Sequence, residues 1–421
     1  MLWHGLLTAR PTEGLPQWPE SIPPEARFHH EPGFVHFRPM INLDHNATTP
    51  PHPEVIETVA RISRDAPANP GSRHAGGRAA RRVLEQSREL IADVLGASPT
   101  EVKFTSGGTE ANNLALFGFA RGRAGTTAGA FATLDGEHPS IEEPLKELEG
   151  RGWTRRTIPM DAHGLPAAGG TDISNAGVAN EVAFVTMLLA HNETGVLRDL
   201  PPWAEVCTAR RIPLHVDAVQ AAGKIDVDFQ ASGATTMSIA AHKFRGPRGI
   251  GALLVRNGAR LPARMFGGHQ EDGVRPGTES TALAAGMARA LELWREERDS
   301  LTSRLTQLRD RFEAGVLAAV PGSFVHAAEA PRLPNTANIA FPGRDGDALL
   351  VALDLAGVCA SLGSACASGS AEPAPILLAM GAPPKIARAS LRFSLGWTNT
   401  EAEIDDAVQR IARAAAGMRS S

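Results

Sequence analysis

Tyrosine is absent from this chain of 421 residues, cysteine occurs three times and lysine five times. Each scarcity excludes something. Without tyrosine, no phenol is on hand as acid, base or ring partner. The cysteines, at positions 207, 359 and 366, are too few for a disulfide framework and lack the paired spacing of a zinc site, so no metal is expected. Such usage fits a reducing, cytoplasmic setting. The net charge of −4 and a pI near 6.4 give no sign of direct nucleic-acid binding. The longest uncharged run, Leu355 to Ala371, is 17 residues of mostly Gly, Ala and Ser. It is too short and too polar for a membrane span. The N-terminus shows no basic region followed by an apolar core, so no secretory signal is read. Chemistry that needs a lysine has five candidates, and chemistry that needs a thiol has three.

The remaining composition is that of a globular protein, with 43% apolar and 21% charged residues. The length suits roughly two or three domains, each able to bury a core. Residues 1–39 differ from the rest. They hold seven prolines and no periodicity, and read as a poorly ordered extension. Met40 stands directly before the first strand-like segment, which makes it an alternative translation start. Residues 40–52 then form an N-terminal segment that joins a smaller domain.

From Pro53 the pattern alternates between helix and strand. Helices are expected at 53–66, at 77–95 and from about Glu110, with strands at 101–104, 130–134, 182–189, 213–217, 235–240 and 250–255. Apolar runs bounded by helices indicate an α/β fold with a mainly parallel sheet buried on both faces. This large domain is placed at 53–297. A long helix at 281–316 leads into a smaller α+β domain at 298–421. That domain has strands at 336–341 and 389–395 and helices at 346–356 and 401–416.

Three motifs carry chemistry. Thr105-Ser106-Gly107-Gly108-Thr109-Glu110-Ala111-Asn112 joins a strand to a helix. Its glycines and the free N–H groups of a helix start let Gly108 and Thr109 hold a phosphate. It reads equally as an ordinary turn with a Thr cap. Asp217, in His215-Val216-Asp217-Ala218-Val219-Gln220, ends a buried strand, where ligands bind in open α/β sheets. It is either the partner of a protonated pyridine nitrogen or a helix cap. Lys243, in Ala241-His242-Lys243, follows another buried strand and precedes a Gly-rich stretch. Lysine amines form Schiff bases with aldehydes. The other lysines fit less well: Lys103 is inside a strand, Lys146 in a Glu-rich helix, Lys224 in a loop before Asp226 and Lys385 in a Pro-flanked loop. A phosphate turn, a strand-end Asp and a post-strand Lys together specify pyridoxal 5'-phosphate better than any one alone.

With these motifs the sequence resembles the cysteine desulfurases of the class V aminotransferase family, which are fold-type I pyridoxal phosphate enzymes. The matching segments run in order from Leu43-Asp44-His45-Asn46-Ala47-Thr48-Thr49-Pro50 to Leu391-Arg392-Phe393-Ser394-Leu395-Gly396. The stretch Gly363-Ser364-Ala365-Cys366-Ala367-Ser368, followed by Glu372-Pro373, resembles the group I (NifS/IscS-like) branch. The resemblance implies that Lys243 holds the cofactor and removes the substrate α-proton. It implies that Asp217 keeps the ring nitrogen protonated, that Gln220 bonds the phenolic oxygen, and that His138 stacks on the ring and moves protons. Gly108, Thr109 and His242 would contact the phosphate, and Thr278 would reach the phosphate in a neighbouring subunit of a homodimer. Asn192 would touch cofactor and substrate. Arg392 would clamp the substrate carboxylate, with Asn69 a second candidate there. Cys366 would take sulfur from L-cysteine as a persulfide, release L-alanine, and pass the sulfur to an iron–sulfur scaffold or a tRNA-thiolation protein.

The residues are consistent with that role for Cys366, since its Gly, Ser and Ala neighbours favour a mobile loop. Cys207 and Cys359 lie in apolar contexts and read as buried small hydrophobes. Where the family usually has Ser, Asn and Tyr, this chain has Ala240, His191 and His45. Proton handling then falls to His138, Lys243 and His45. The chain stops soon after its last helix without a recognisable scaffold-docking tail, which leaves the acceptor open. Rival readings are another class V enzyme, such as a selenocysteine lyase or an aminotransferase, and a non-catalytic sulfur carrier or partner-binding homologue. Cys366 argues against the aminotransferase, and Lys243, Asp217 and Cys366 together argue against the carrier.

Overall fold

The computed structural model describes residues 40–122, 128–167, 182–363 and 373–418. The extension expected at 1–39 lies outside them. The first half of the chain runs β1 (Ile41–Asn42), α1 (Pro53–Asp65), α2 (Ala75–Val94), β2 (Val102–Thr105), α3 (Gly108–Gly122), β3 (Ala130–Leu134), α4 (Pro139–Gly150) and β4 (Thr154–Ile158). It continues with β5 (Val182–Leu188), α5 (Pro201–Arg210), β6 (Leu214–Asp217), β7 (Thr236–Ala240) and β8 (Gly251–Val255).

Strands β2 to β8 form one sheet in the order β2-β8-β7-β6-β5-β3-β4. Every residue of β3, β5, β6, β7 and β8 is buried, so apolar side chains point to both faces and helices cover both. Strands β4, β3, β5, β6 and β7 are parallel, and β8 runs against β7 and β2. The reversal has a simple cause. Residues 241–250 are too few for the crossover that a parallel neighbour requires. The edge strand β4 departs from the expected pattern. Its Thr-Arg-Arg-Thr-Ile sequence is half exposed and pairs on one side only, and charge on an edge discourages further pairing.

The second half contains α6 (Thr281–Ala319), β9 (Phe324–Val325), β10 (Thr336–Ala340), α7 (Gly346–Leu355), β11 (Val358–Cys359), β12 (Ser361–Leu362), α8 (Pro375–Ala379), α9 (Pro384–Arg388), β13 (Ser390–Ser394) and α10 (Glu401–Gly417). An antiparallel sheet has the order β12-β13-β10-β9, and β1 pairs in parallel with β11. Thr400 and Glu403 close a reciprocal capping box at the start of α10, at 2.9 and 3.2 Å.

Helix α6 belongs to two hydrophobic cores. Its 39 residues span about 58 Å at 1.5 Å per residue. Ala284, Met287 and Leu291 enter the core under the large sheet, beside α1 and α2. Leu305, Leu308, Phe312 and Val316 enter the core under the small sheet, beside α10. The parallel strands β3, β5, β6 and β7 all deliver their C-terminal ends to one rim, where the crevice of an open α/β sheet lies.

Phe312 is fully buried, with its ring 5.0 Å from that of Phe393. Phe312→Ala is expected to cost about 3–5 kcal/mol, the range for emptying a buried aromatic site. Urea denaturation measures the loss, and a change under about 1 kcal/mol contradicts this account of the core.

Candidate active site

Two predicted residues stand on neighbouring strand ends. Asp217 closes β6 and is 2% exposed. Its Oδ1 accepts from Val219 N at 2.9 Å and its Oδ2 from Asn112 Nδ2 at 2.7 Å. Both donors are neutral, and among the described residues Asp217 forms no ion pair. A buried carboxylate held this way suits a cationic ligand group. Lys243 ends the short 3₁₀ turn after β7. Its Nζ donates to Asn46 O at 2.6 Å and Ala47 O at 2.9 Å.

His138 caps α4 and is joined to Asp217 through a buried chain of hydrogen bonds. The backbone N–H of Ser140 donates to His138 Nδ1 at 3.1 Å. Nδ1 is therefore an acceptor, and the proton of the neutral ring sits on Nε2. Ser140 Oγ lies 2.8 Å from the same nitrogen and receives Asn112 Nδ2 at 2.8 Å. Asn112 in turn accepts at Oδ1 from His215 Nε2 at 2.9 Å, which fixes which end of the amide faces Asp217. Burial lowers the pKa of His138, opposed by Asp217 and aided by Lys243 and Arg392. Burial pushes His215 down to about 3, so it is neutral as well.

The proposed phosphate end is built from a helix start. Gly108 and Thr109 open α3, where backbone N–H groups have no helical partner. A Cβ on Gly108 would stand 2.6 Å from Val219 Cγ2, so close packing demands glycine here. Thr109 is exposed. His242 Nδ1 lies 3.2 Å from Thr48 Oγ1, and burial with Lys243 and Arg248 nearby lowers this half-buried imidazole to about 4. Ala240 is buried at the end of β7 and has no hydroxyl to offer.

Thr278 is exposed on a loop that the core anchors firmly. Arg88 grips Glu271 with two bonds of 2.7 and 2.9 Å, and Phe104 N donates to the same carboxylate at 3.1 Å. These contacts hold Glu271 and Asp272 at φ 49° and 54°, a left-handed region that side chains rarely occupy. Lys103 pairs with Asp272. Asn69 is exposed, and its Oδ1 accepts from Gly71 N at 2.8 Å, which is a turn-closing contact.

At the proposed substrate end, Arg392 is 2% exposed in β13. It donates to Glu193 Oε1 at 2.8 Å, Asp44 Oδ1 at 2.7 Å and Asn192 O at 3.3 Å. Asn192 Nδ2 donates to Glu193 Oε1 at 2.8 Å. Burial raises the pKa of Glu193, and Arg392 opposes it. His191, where Asn is usual, caps this turn. Its Nδ1 accepts from Glu193 N at 3.1 Å and its Nε2 donates to Gly136 O at 2.8 Å. Burial and Arg198 lower it to about 3. A cavity of about 630 Å³ is lined by His138, Asn192, Glu193, Gly363, Pro373 and Ile376 among others, but not by Asp217 or Lys243.

Cys366 lies outside the described residues, and Gly363 and Pro373 on either side of that segment both line the cavity. Burial pushes the Cys207 thiol up to about 12, so it offers little thiolate. Cys359 is half-buried rather than buried, and burial with Asp354 and Asp44 nearby raises its thiol too. His45 is buried, 2.9 Å from Thr49 Oγ1, and lowered to about 4 by burial and by Lys224. Its ring fills the space where a Cβ on Gly396 would stand, at 2.1 Å.

Five residues of this cluster have no assigned role in the sequence: Asp44, Asn46, Asn112, Glu193 and Lys224. Asp44, Asn46 and Asn112 sit inside the quoted motifs and Glu193 directly follows Asn192, so the signal was position within or beside a motif. Gln220 Nε2 donates to Asn46 O at 2.9 Å, and Lys224 Nζ bonds Asn46 Oδ1 at 2.7 Å and Gln220 Oε1 at 2.5 Å. Lys224, expected in a loop before Asp226, is therefore a buried residue of that loop. ¹H–¹⁵N NMR of the cofactor-free protein at neutral pH is expected to show His138 as the Nε2–H tautomer. An Nδ1–H signal contradicts the network described above.

Comparison with known proteins agrees with this geometry. The family model described as Aminotransferase class-V matches residues 41–407. An IscS-like cysteine desulfurase of Mycobacterium tuberculosis is 42% identical over 385 residues, which is 90% of this chain and 97% of the relative. A solved NifS-like protein is 30% identical with a TM-score of 0.81, covering 89% of this chain and 98% of its own. The solved structure of SspA in complex with cysteine is 29% identical with a TM-score of 0.74, covering 84% and 98%. The fold is thus that of the fold-type I pyridoxal phosphate enzymes, and the chain belongs to the class-V aminotransferase family.

Proposed function

We propose that this protein is a cysteine desulfurase that depends on pyridoxal 5'-phosphate. One observation carries the reading. A buried aspartate, held by neutral donors, ends the strand beside the one that leads to Lys243. That donor set fits the cofactor, because an aspartate with no cation of its own suits a protonated ring nitrogen, and a helix start suits a phosphate. Lys243, Asp217, Gln220, His138, Asn192, His242, Gly108 and Thr109 would hold it. When bound, the cofactor supplies an electron sink for charge that develops at the substrate α-carbon.

The residues of the chain do the rest. Asp217 keeps a proton on the ring nitrogen. Lys243 leaves the Asn46 and Ala47 carbonyls to take up the cofactor and to remove the α-proton. His138 offers the proton on Nε2, and its neutral state keeps the other nitrogen tied to Ser140. Arg392 holds Glu193 and Asp44 here, and releasing one of them would free its planar guanidinium to clamp the carboxylate of L-cysteine. The Cys366 thiolate attacks the substrate sulfur. The carbon–sulfur bond breaks with its electron pair going to the carbon fragment, and a persulfide stays on Cys366. The fragment takes a proton at the β-carbon and regains one at the α-carbon, and L-alanine leaves. The similarity to an IscS-like cysteine desulfurase and to a protein solved with cysteine supports this substrate.

The finer parts of the reading are a large domain at 53–297 and a small one at 298–421, with Thr278 serving a second copy in a homodimer. The sulfur acceptor is read as an iron–sulfur scaffold or a tRNA-thiolation protein, in a cytoplasmic setting. Among the described residues, no helix is long and apolar enough to cross a membrane.

The test supplies L-cysteine and a reductant and measures alanine and sulfide together. Both are expected in equal amounts. Cys366→Ala is expected to abolish sulfide formation while the protein keeps its cofactor absorbance. Alanine production by Cys366→Ala at the full rate overturns the role of Cys366, and alanine without sulfide overturns the desulfurase reading.

A further inference from the structure

Of the five lysines, Lys224 has the most unusual surroundings. It is 8% exposed and forms no ion pair among the described residues. Its acceptors are the side-chain oxygens of two neutral amides, Asn46 at 2.7 Å and Gln220 at 2.5 Å. Burial first, and then the positive charges of Lys243 and Arg392, hold its amine well below the usual lysine range. A buried amine without a carboxylate is costly, so its retention calls for a reason beyond solubility.

The reason lies in what an amide can do. The two ends of an Asn or Gln amide are nearly the same shape, and one donates while the other accepts. Orientation is set by the partners. The ammonium form of lysine donates only, accepts no N–H and rejects a flipped amide, and Nζ here faces an oxygen of each amide. With Lys224 on Gln220 Oε1, the Gln220 N–H must face the Asn46 carbonyl, as it does at 2.9 Å. That carbonyl also accepts from Lys243 at 2.6 Å. With Lys224 and Asn335 on Asn46 Oδ1, the Asn46 N–H groups must face Thr336 Oγ1 and Asn192 O, at 2.9 and 3.1 Å. One amine thus sets both amides: Gln220 is itself assigned to the cofactor, and the Asn46 amide touches Asn192, which is assigned to it as well.

We propose that Lys224 is a positioning residue of this active site: through Gln220 Oε1 and Asn46 Oδ1 it fixes both side-chain amides, so that the Gln220 N–H meets the Asn46 backbone carbonyl that also accepts from Lys243, and the Asn46 amide N–H meets Asn192 O. This rests on the assignment of Lys243 and Gln220 to pyridoxal phosphate. Lys224 itself touches neither substrate nor cofactor in this arrangement, so its effect passes through its two amide partners.

Lys224→Met keeps length and removes the donors, and Lys224→Gln keeps one N–H arm should the first variant fail to fold. A urea midpoint of the cofactor-free protein establishes folding. Two readouts follow. In the cofactor-free protein, hydrogen exchange of the Gln220 side-chain amide, assigned with Gln220→Glu, is expected to speed up by roughly 10-fold or more. In the loaded protein, pyridoxal phosphate is expected to bind roughly 10-fold or more weakly, with a shifted absorbance maximum. A folded variant with wild-type exchange at Gln220, wild-type affinity and an unshifted spectrum overturns the proposal. Wild-type protein that takes up no pyridoxal phosphate contradicts the functional reading instead, and the exchange rates of the cofactor-free protein then decide the role of Lys224 alone.

Discussion

Asn46 has every polar group engaged inside the protein. Its N–H donates to Ser394 Oγ, its carbonyl accepts from Gln220 and Lys243, its Oδ1 accepts from Lys224 and Asn335, and its Nδ2 donates to Asn192 O and Thr336 Oγ1. Thr336 and Ser394 belong to the small sheet, whereas Gln220, Lys243 and Asn192 follow strands of the large one. A single residue 1% exposed therefore ties the two sheets together at the rim where the candidate site lies. Buried polar networks of this kind are stable when every member is satisfied and costly when one is not. The constraint explains why the N-terminal segment, far from the site in sequence, has to pack where it does.

Electrostatics around that node follow from burial. His45, His191 and His215 are lowered to between about 3 and 4, chiefly by burial, so they act as fixed donors and acceptors and not as switches. The neutral state of His215 and the orientation of Asn112 pass on to Asp217 and, through Ser140, to His138. The same logic separates the three thiols. Burial raises the thiols of Cys207 and Cys359 and so disfavours their thiolates, which is consistent with the proposed role of Cys366.

Much of this was legible in the sequence because the signals are local. Apolar-rich runs marked β5 and β7, the strand ending at Asp217 marked β6, and residues at or just after these strand ends form the candidate site. β4 was not legible. Two arginines in five residues hide an edge strand that gains its pairing from β3 alone. The antiparallel course of β8 depends on the short link after β7, a constraint of connection length and not of composition. The burial of Lys224 was not legible for a related reason. Its loop position before Asp226 is visible in the sequence, whereas its burial depends on the return of the N-terminal segment over Gln220. Asn112 was visible within a motif and Glu193 beside Asn192, yet their roles depend on partners distant in sequence.

The account makes Lys243 the lysine that holds the cofactor and Lys224 its buried neighbour. Borohydride reduction of the protein loaded with pyridoxal phosphate, followed by peptide mass spectrometry, tests that division directly. The account predicts a pyridoxyl adduct on the peptide containing Lys243 and an unmodified Lys224. An adduct on Lys224, or none on Lys243, would contradict it.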